Sequence, residues 1–401
     1  MPLYKLVLIT SGLILMLSLF GPYDYDFSSR AGYIYYYFTI LCFVTPLVIL
    51  SNQRGESIYF KISLTKTTRK FLKLASILSI LASILFLMEC YRLYGWAVFD
   101  STQNLRAVFS EDRSNVSKYL EIISCLASAI FLIVAKSNNE NHESTLYKYS
   151  KYALILQGLT GLFLGGRWKV FICFLLYIFC KEKRHKYSRN EKILFFIFGL
   201  TLLFLFAVRG NLSIVAQYRF YEGDMNLRSW AIFLHQFTFG MVDPFIKLSD
   251  YIAQSPFVFS HIFEHYIDEP YLFGLYALRP IVYILGIFDK SINYEALTST
   301  VFTGMYSGSA VGIIADFGIA ATPIVFVIIG LLFGIVERYR RFYPFFQIVY
   351  PILQIMCLLM PIYYLFHVGF LDWVILWFVL VYVFVLKIFG FEVLYEERFS
   401  N

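Results

Sequence analysis

Three observations predict an all-α polytopic membrane protein with about ten transmembrane helices, one large extracytoplasmic loop and both termini in the cytoplasm. Hydrophobic residues make up 59% of the 401-residue chain and charged residues only 15%, against about 25% charged in an average soluble domain. Apolar runs recur that reach or approach the roughly 20 residues a helix needs to cross the hydrocarbon core. Basic residues gather in alternate loops, as the positive-inside rule requires. An outer-membrane barrel would instead show segments of about ten alternating residues.

The elements follow in order. Span 1 covers 3–20; no small-residue cleavage site follows its apolar run, so it reads as a span and not a removed signal peptide. The loop 21–31 carries Asp24, Asp26 and a single Arg30. Span 2 covers 32–50. The loop 51–70 holds Arg54, Lys61, Lys66, Arg69 and Lys70, which places it in the cytoplasm. Spans 3 and 4 cover 71–91 and 118–136, joined by an outer loop of mixed charge.

Residues 152–180 are mostly apolar, with Gly165-Gly166-Arg167-Trp168-Lys169 in the middle. Six basic residues between 181 and 192 make the next loop cytoplasmic, as is the loop before 152, so the chain must cross twice. Two helices of about 14 residues reach only about 21 Å, short of the core. The Gly-Gly-Arg turn is therefore expected below the outer surface, where irregular backbone is tolerated only if buried in protein or lining a wet cavity.

Span 7 covers 193–208. The loop 209–308 follows outside, with nine acidic and six basic residues. Its apolar stretches 230–241 and 271–288 read as interfacial or re-entrant helices, the second interrupted by Arg279-Pro280. Span 8 covers 318–336 and ends at Arg338, Arg340 and Arg341 inside; spans 9 and 10 cover 345–366 and 374–390. The chain thus divides into an N-terminal bundle (1–208), the external loop (209–308) and a C-terminal bundle (309–401).

The net charge of +7 reflects cytoplasmic loops, not nucleic acid. The six cysteines form no Cys-x-x-Cys pair, which leaves disulfide and zinc readings without support. His261 and His265 have helical metal-ligand spacing but no evident third ligand, so neither a metal nor another cofactor is expected.

Chemistry is expected where the long loop meets the membrane. Arg167, Lys169, Arg209, Arg219 and Arg279 all fall on the outer side, and guanidinium groups bind phosphate through paired, charge-assisted donors. An outer cavity with several arginines suits a lipid-linked pyrophosphate. The ordinary alternative for Arg209 and Lys169 is snorkelling at helix ends. Carboxylates and histidines on the same side include Glu222, Asp224, His235, Asp243, His261, Glu264, His265 and Asp316. Glu222, His235 and Asp243 are the candidate general bases. Asp316, at the mouth of span 8, has three readings: arginine partner, helix cap or substrate ligand.

At these residues the chain resembles the bacterial oligosaccharide repeat unit polymerases, the O-antigen polymerase or Wzy-type family. The resemblance rests on Gly165-Gly166-Arg167, on Tyr218-Arg219-Phe220-Tyr221-Glu222-Gly223, on 278–287, and on Val301-Phe302-Thr303 leading to Asp316-Phe317-Gly318. It implies a glycosyltransferase, inverting or retaining, of the bacterial plasma (inner) membrane with its active site facing the periplasm or cell exterior. The growing glycan would pass from undecaprenyl diphosphate onto a new undecaprenyl-diphosphate-linked repeat unit, in O-antigen or capsular polysaccharide synthesis. Arg167, Lys169, Arg209, Arg219, Tyr221, Arg279, Thr303 and Asp316 are then the expected substrate contacts. The implied partners are membrane lipid, a chain-length regulator and a repeat-unit flippase. Two alternatives stay open: an O-antigen ligase-like glycosyltransferase, which shares this plan, and a lipid-linked oligosaccharide flippase or transporter, against which the long loop argues.

Overall fold

The computed structural model describes residues 1–25, 29–51, 59–95, 115–137, 144–163, 167–180, 225–238, 240–265, 308–340, 342–362, 370–386 and 390–396, with single positions at 189, 193, 196, 199 and 388. Thirteen helices account for most of them: α1 (Leu3–Phe20), α2 (Arg30–Ser51), α3 (Lys66–Tyr94), α4 (Asn115–Ser124), α5 (Leu126–Lys136), α6 (Thr145–Phe163), α7 (Arg167–Cys180), α8 (Ser229–Phe237), α9 (Asp243–Ala253), α10 (Ser255–His265), α11 (Gly308–Tyr339), α12 (Pro344–Leu359) and α13 (Phe370–Val381). A π-helical turn, Tyr382–Leu386, follows α13. Four short strands complete the list: β1 (Tyr23–Tyr25), β2 (Tyr59–Leu64), β3 (Met225–Leu227) and β4 (Phe391–Glu396).

Among the described residues, five stretches are helical, long and apolar enough to cross a membrane: Leu3–Phe20, Arg30–Ser51, Lys66–Leu93, Val116–Lys136 and Ser309–Tyr339. In two of them small hydroxyl residues lie on the buried face and large apolar residues on the exposed one. The buried face of α1 carries Thr10, Ser11 and Ser18, while Leu13, Met16 and Phe20 point outward. In α3, Ser76, Ser79 and Ser83 are buried and Leu74, Leu78 and Leu81 exposed. Small hydroxyl residues between helices and leucine outside is the arrangement lipid favours, because hydrocarbon does not drive leucine inward and small residues let helices approach. The protein is a predominantly helical membrane protein.

The chain folds into two compact units, each assembled from separated segments. The first holds residues 1–53, 188–337 and 356–368. Here α2 crosses α11 through Gly330 and Gly334, a small-xxx-small pair inside an apolar run. A Cβ on Gly330 would stand 2.4 Å from the Phe43 carbonyl oxygen and 2.7 Å from Pro46 Cγ. Gly330→Leu is therefore expected to destabilise the unit by about 1–3 kcal/mol, read as a lower melting temperature in detergent; an unchanged melt would contradict the close crossing. At the near end of the same pair, the Glu337 carboxylate accepts the Leu3 N–H at 3.2 Å, capping a helix start whose first N–H groups have no acceptor within the helix.

Helix α11 is broken within. Gly318 has φ 80° and ψ 167°, outside the range open to other residues. Five residues later Pro323 has no N–H for the Ile319 carbonyl, and the Tyr35 hydroxyl of α2 donates to that carbonyl instead. Thr322 Oγ1 donates to Gly318 O at 2.7 Å. The sequence placed the start of this helix at 318; a ten-residue helical segment precedes the break, and Asp316 is fully buried in it.

The second unit holds residues 54–187, 338–355 and 369–401. Helices α6 and α7 form the two-helix unit expected from residues 152–180. Gly158 lies opposite Cys173 and Lys151 opposite the Tyr177 ring, so the pair runs antiparallel. Trp377 Nε1 donates to Ile122 O at 2.7 Å, and Ser128 Oγ to Gln157 Oε1 at 2.7 Å, tying α13 to α4 and α5 to α6.

Beside the helices, two short antiparallel ladders are present among the described residues. β1 pairs with β3, and β2 pairs with β4 over six residues. Each ladder joins segments on which the loop charges had placed the same side. Most of span 7, and the stretch 271–288, lie outside the described residues.

Candidate functional site

The β1–β3 ladder sets the site up. Strand alternation turns Tyr23 and Tyr25 to the buried side and Asp24 outward. Asp24 meets Arg228, Oδ1 to Nη2, at 3.1 Å, and the Arg228 N–H donates to Pro22 O at 2.9 Å. On the buried side, the Tyr25 hydroxyl donates to Asp250 Oδ1 at 2.7 Å. Burial pushes the Tyr23 phenol well above its ordinary range, and the nearby Asp250 and Asp243 carboxylates push it further. Tyr23 therefore stays a neutral hydroxyl beside two carboxylates.

Helix α8 begins directly after β3. One narrow face, Ala231 and His235 four residues on, turns toward the protein. The helix ends at Phe237, and Gly240 N–H donates to His235 O at 2.9 Å. Gly240 has φ 81°, and a Cβ there would stand 3.2 Å from Asp243 Oδ2 and 3.6 Å from His235 Cε1. Glycine thus allows both the turn and the approach of the two side chains. Asp243 occupies the first turn of α9, where the helix dipole favours a carboxylate.

The result is an aspartate–histidine pair: His235 Nδ1 lies 2.8 Å from Asp243 Oδ1. The His235 side chain is 40% exposed and that of Asp243 only 2%. A carboxylate that accepts from Nδ1–H fixes the tautomer and leaves Nε2 as the basic nitrogen. Such a pair can take a proton from a hydroxyl, with the carboxylate supporting the imidazolium that forms. Asp250 lies seven residues beyond Asp243, two helical turns along one buried face of α9.

Of the candidates read from the sequence, the structure brings His235 and Asp243 together. Asp316 is buried in α11 of the same unit. Lys169 belongs to the other unit, where it is 4% exposed, 3.6 Å from Glu121 Oε1 and 5.8 Å from the Phe86 ring centre. Arg167 starts α7, but its side chain is outside the described residues, as are Arg209, Arg219, Tyr221, Glu222, Asp224, Arg279 and Thr303. The side chains of His261, Glu264 and His265 are outside them too. Among the described residues no group of three His, Cys, Asp or Glu could hold a metal ion.

Sequence reasoning missed Tyr23, Tyr25, Asp250 and Glu121. For Asp250 a signal existed: with Asp243 and Ile246 it repeats at helical spacing over 243–253. No protein-family model, curated protein or solved structure matches this chain.

Proposed function

We propose that this protein polymerises lipid-linked oligosaccharide repeat units at the outer face of a bacterial plasma membrane. The observation that carries the reading is the His235–Asp243 pair, an oriented base in a segment that the charge bias places outside. His235 Nε2 takes the proton of an acceptor sugar hydroxyl as that oxygen attacks the anomeric carbon of the donor glycan. The bond from that carbon to the pyrophosphate oxygen breaks, and undecaprenyl diphosphate leaves with the electron pair. Arg167, Arg209, Arg219 and Arg279 are proposed to neutralise the leaving diphosphate.

The topology proposed with it has ten spans, both ends cytoplasmic and 209–308 outside. Three pairings support it, each between segments assigned to one side: β1 with β3, β2 with β4, and Leu3 with Glu337.

The test is a gel ladder of surface and lipid-linked glycans from cells with and without the gene. Collapse to a single repeat unit, still transferred to its final acceptor, is the expected result. Full-length polymer trapped on the lipid carrier would mean a ligase, and repeat units stranded on the cytoplasmic face a flippase. An unchanged ladder would overturn the assignment to glycan assembly.

A further inference from the structure

We infer that α8 is seated in one leaflet of the bilayer, holding the His235 imidazole at headgroup depth. Helix α1 supplies the depth reference. Its 18 residues measure about 27 Å at 1.5 Å per residue, close to the ~30 Å hydrocarbon core. Its Phe20 end therefore marks a membrane boundary.

Strand β1 begins three residues beyond Phe20 and is hydrogen-bonded to β3, and α8 starts two residues after β3 ends. The Arg228 N–H donates to Pro22 O, which fixes the start of α8 within one strand spacing of the α1 terminus. Depth along the membrane normal is thus set by covalent and hydrogen-bonded neighbours.

What α8 presents at that depth is apolar. Trp230 is 45% exposed, Phe233 63% and Phe237 71%, and Met241, in the turn beyond the helix, is 81% exposed. Phe233 and Phe237 stack with ring centres 5.9 Å apart. Nine residues reach about 14 Å, too short to cross. A short helix with a tryptophan and stacked phenylalanines on one side, and His235 on the other, is built to lie in the interface plane. The occupant of this face is lipid. Water would meet five large apolar side chains, Trp230, Ile232, Phe233, Leu234 and Phe237, on a nine-residue helix.

The seating stands without the polymerase reading. Its consequence rests on that reading: the hydroxyl that reaches His235 belongs to an amphiphile that arrives laterally, with its head at the surface and its chain beside α8.

The experiment uses the full chain in vesicles of phosphatidylethanolamine and phosphatidylglycerol, doped with a phospholipid that carries a diazirine mid-way along one acyl chain. After irradiation, adducts are mapped by peptide mass spectrometry. Adducts are expected on the 229–241 peptide as well as on the outward face of α1, and they should be lost from 229–241 alone in a Phe233→Ser/Phe237→Ser variant. Adducts on α1 with none on 229–241 would overturn the seating. Because labelling needs no turnover, a labelled α8 in a protein without polymerase activity would count against the proposed function only.

Discussion

His235→Ala should lower the rate of glycan elongation by about 10²–10⁴-fold, the range lost when a positioned general base is removed. The measurement is chain growth on lipid-linked repeat units by the purified protein, with melting temperature as the control for folding. Asp243→Asn should fall in the same range for a different reason. The amide presents an N–H where a carboxylate oxygen stood 2.8 Å from Nδ1, so it can hold the imidazole in the other tautomer and direct Nε2–H at the acceptor. The double variant should be little worse than either single one, because the two groups act as one unit. A His235→Ala protein that elongates at the normal rate would remove the dyad from the mechanism.

Glu121→Ala should destabilise the second unit by up to about 3 kcal/mol. It leaves the Lys169 ammonium, 4% exposed, without the carboxylate 3.6 Å away. Glu121→Leu combined with Lys169→Met should recover most of that loss, since an apolar pair of similar volume avoids burying charge altogether. Thermal unfolding of the two variants in one detergent separates the outcomes. If the single variant melts like the unchanged protein, the Phe86 ring and other neighbours suffice for Lys169, and the ion pair is incidental.

The spans with unbroken apolar runs were legible because lipid demands length and hydrophobicity from each segment separately. α1, α2 and α3 fall within a few residues of the ranges read from sequence. Helix ends governed by single backbone events were less so. The break at Gly318 needs a positive φ that one glycine among 23 does not announce, and span 8 was read as starting only at 318. Cys125 interrupts the fourth span between α4 and α5 without any proline or glycine to signal it.

The ladders were invisible for a related reason. Three residues such as Tyr23–Tyr25 carry no periodicity, and their partners lie some two hundred residues away. The candidate site was half legible. His235 and Asp243 were each recognisable as groups able to move a proton, but their pairing depends on the turn at Gly240, which sets neither helical nor strand spacing. Lys169 looked like a surface cation because its partner Glu121 sits 48 positions earlier on another helix. Tertiary geometry, not local pattern, decided both.

The β2–β4 ladder bears on how the protein is made. Tyr59–Leu64 emerges from the ribosome early, yet the strand that completes it is synthesised more than three hundred residues later, after all of α3 to α13. Throughout that interval the β2 edge that will pair with β4 presents open amide and carbonyl groups, which can template pairing with another nascent chain. Biogenesis of the second unit thus stays open until late in translation. Chains that stall before Phe391 are the species most exposed to quality-control proteases and to aggregation.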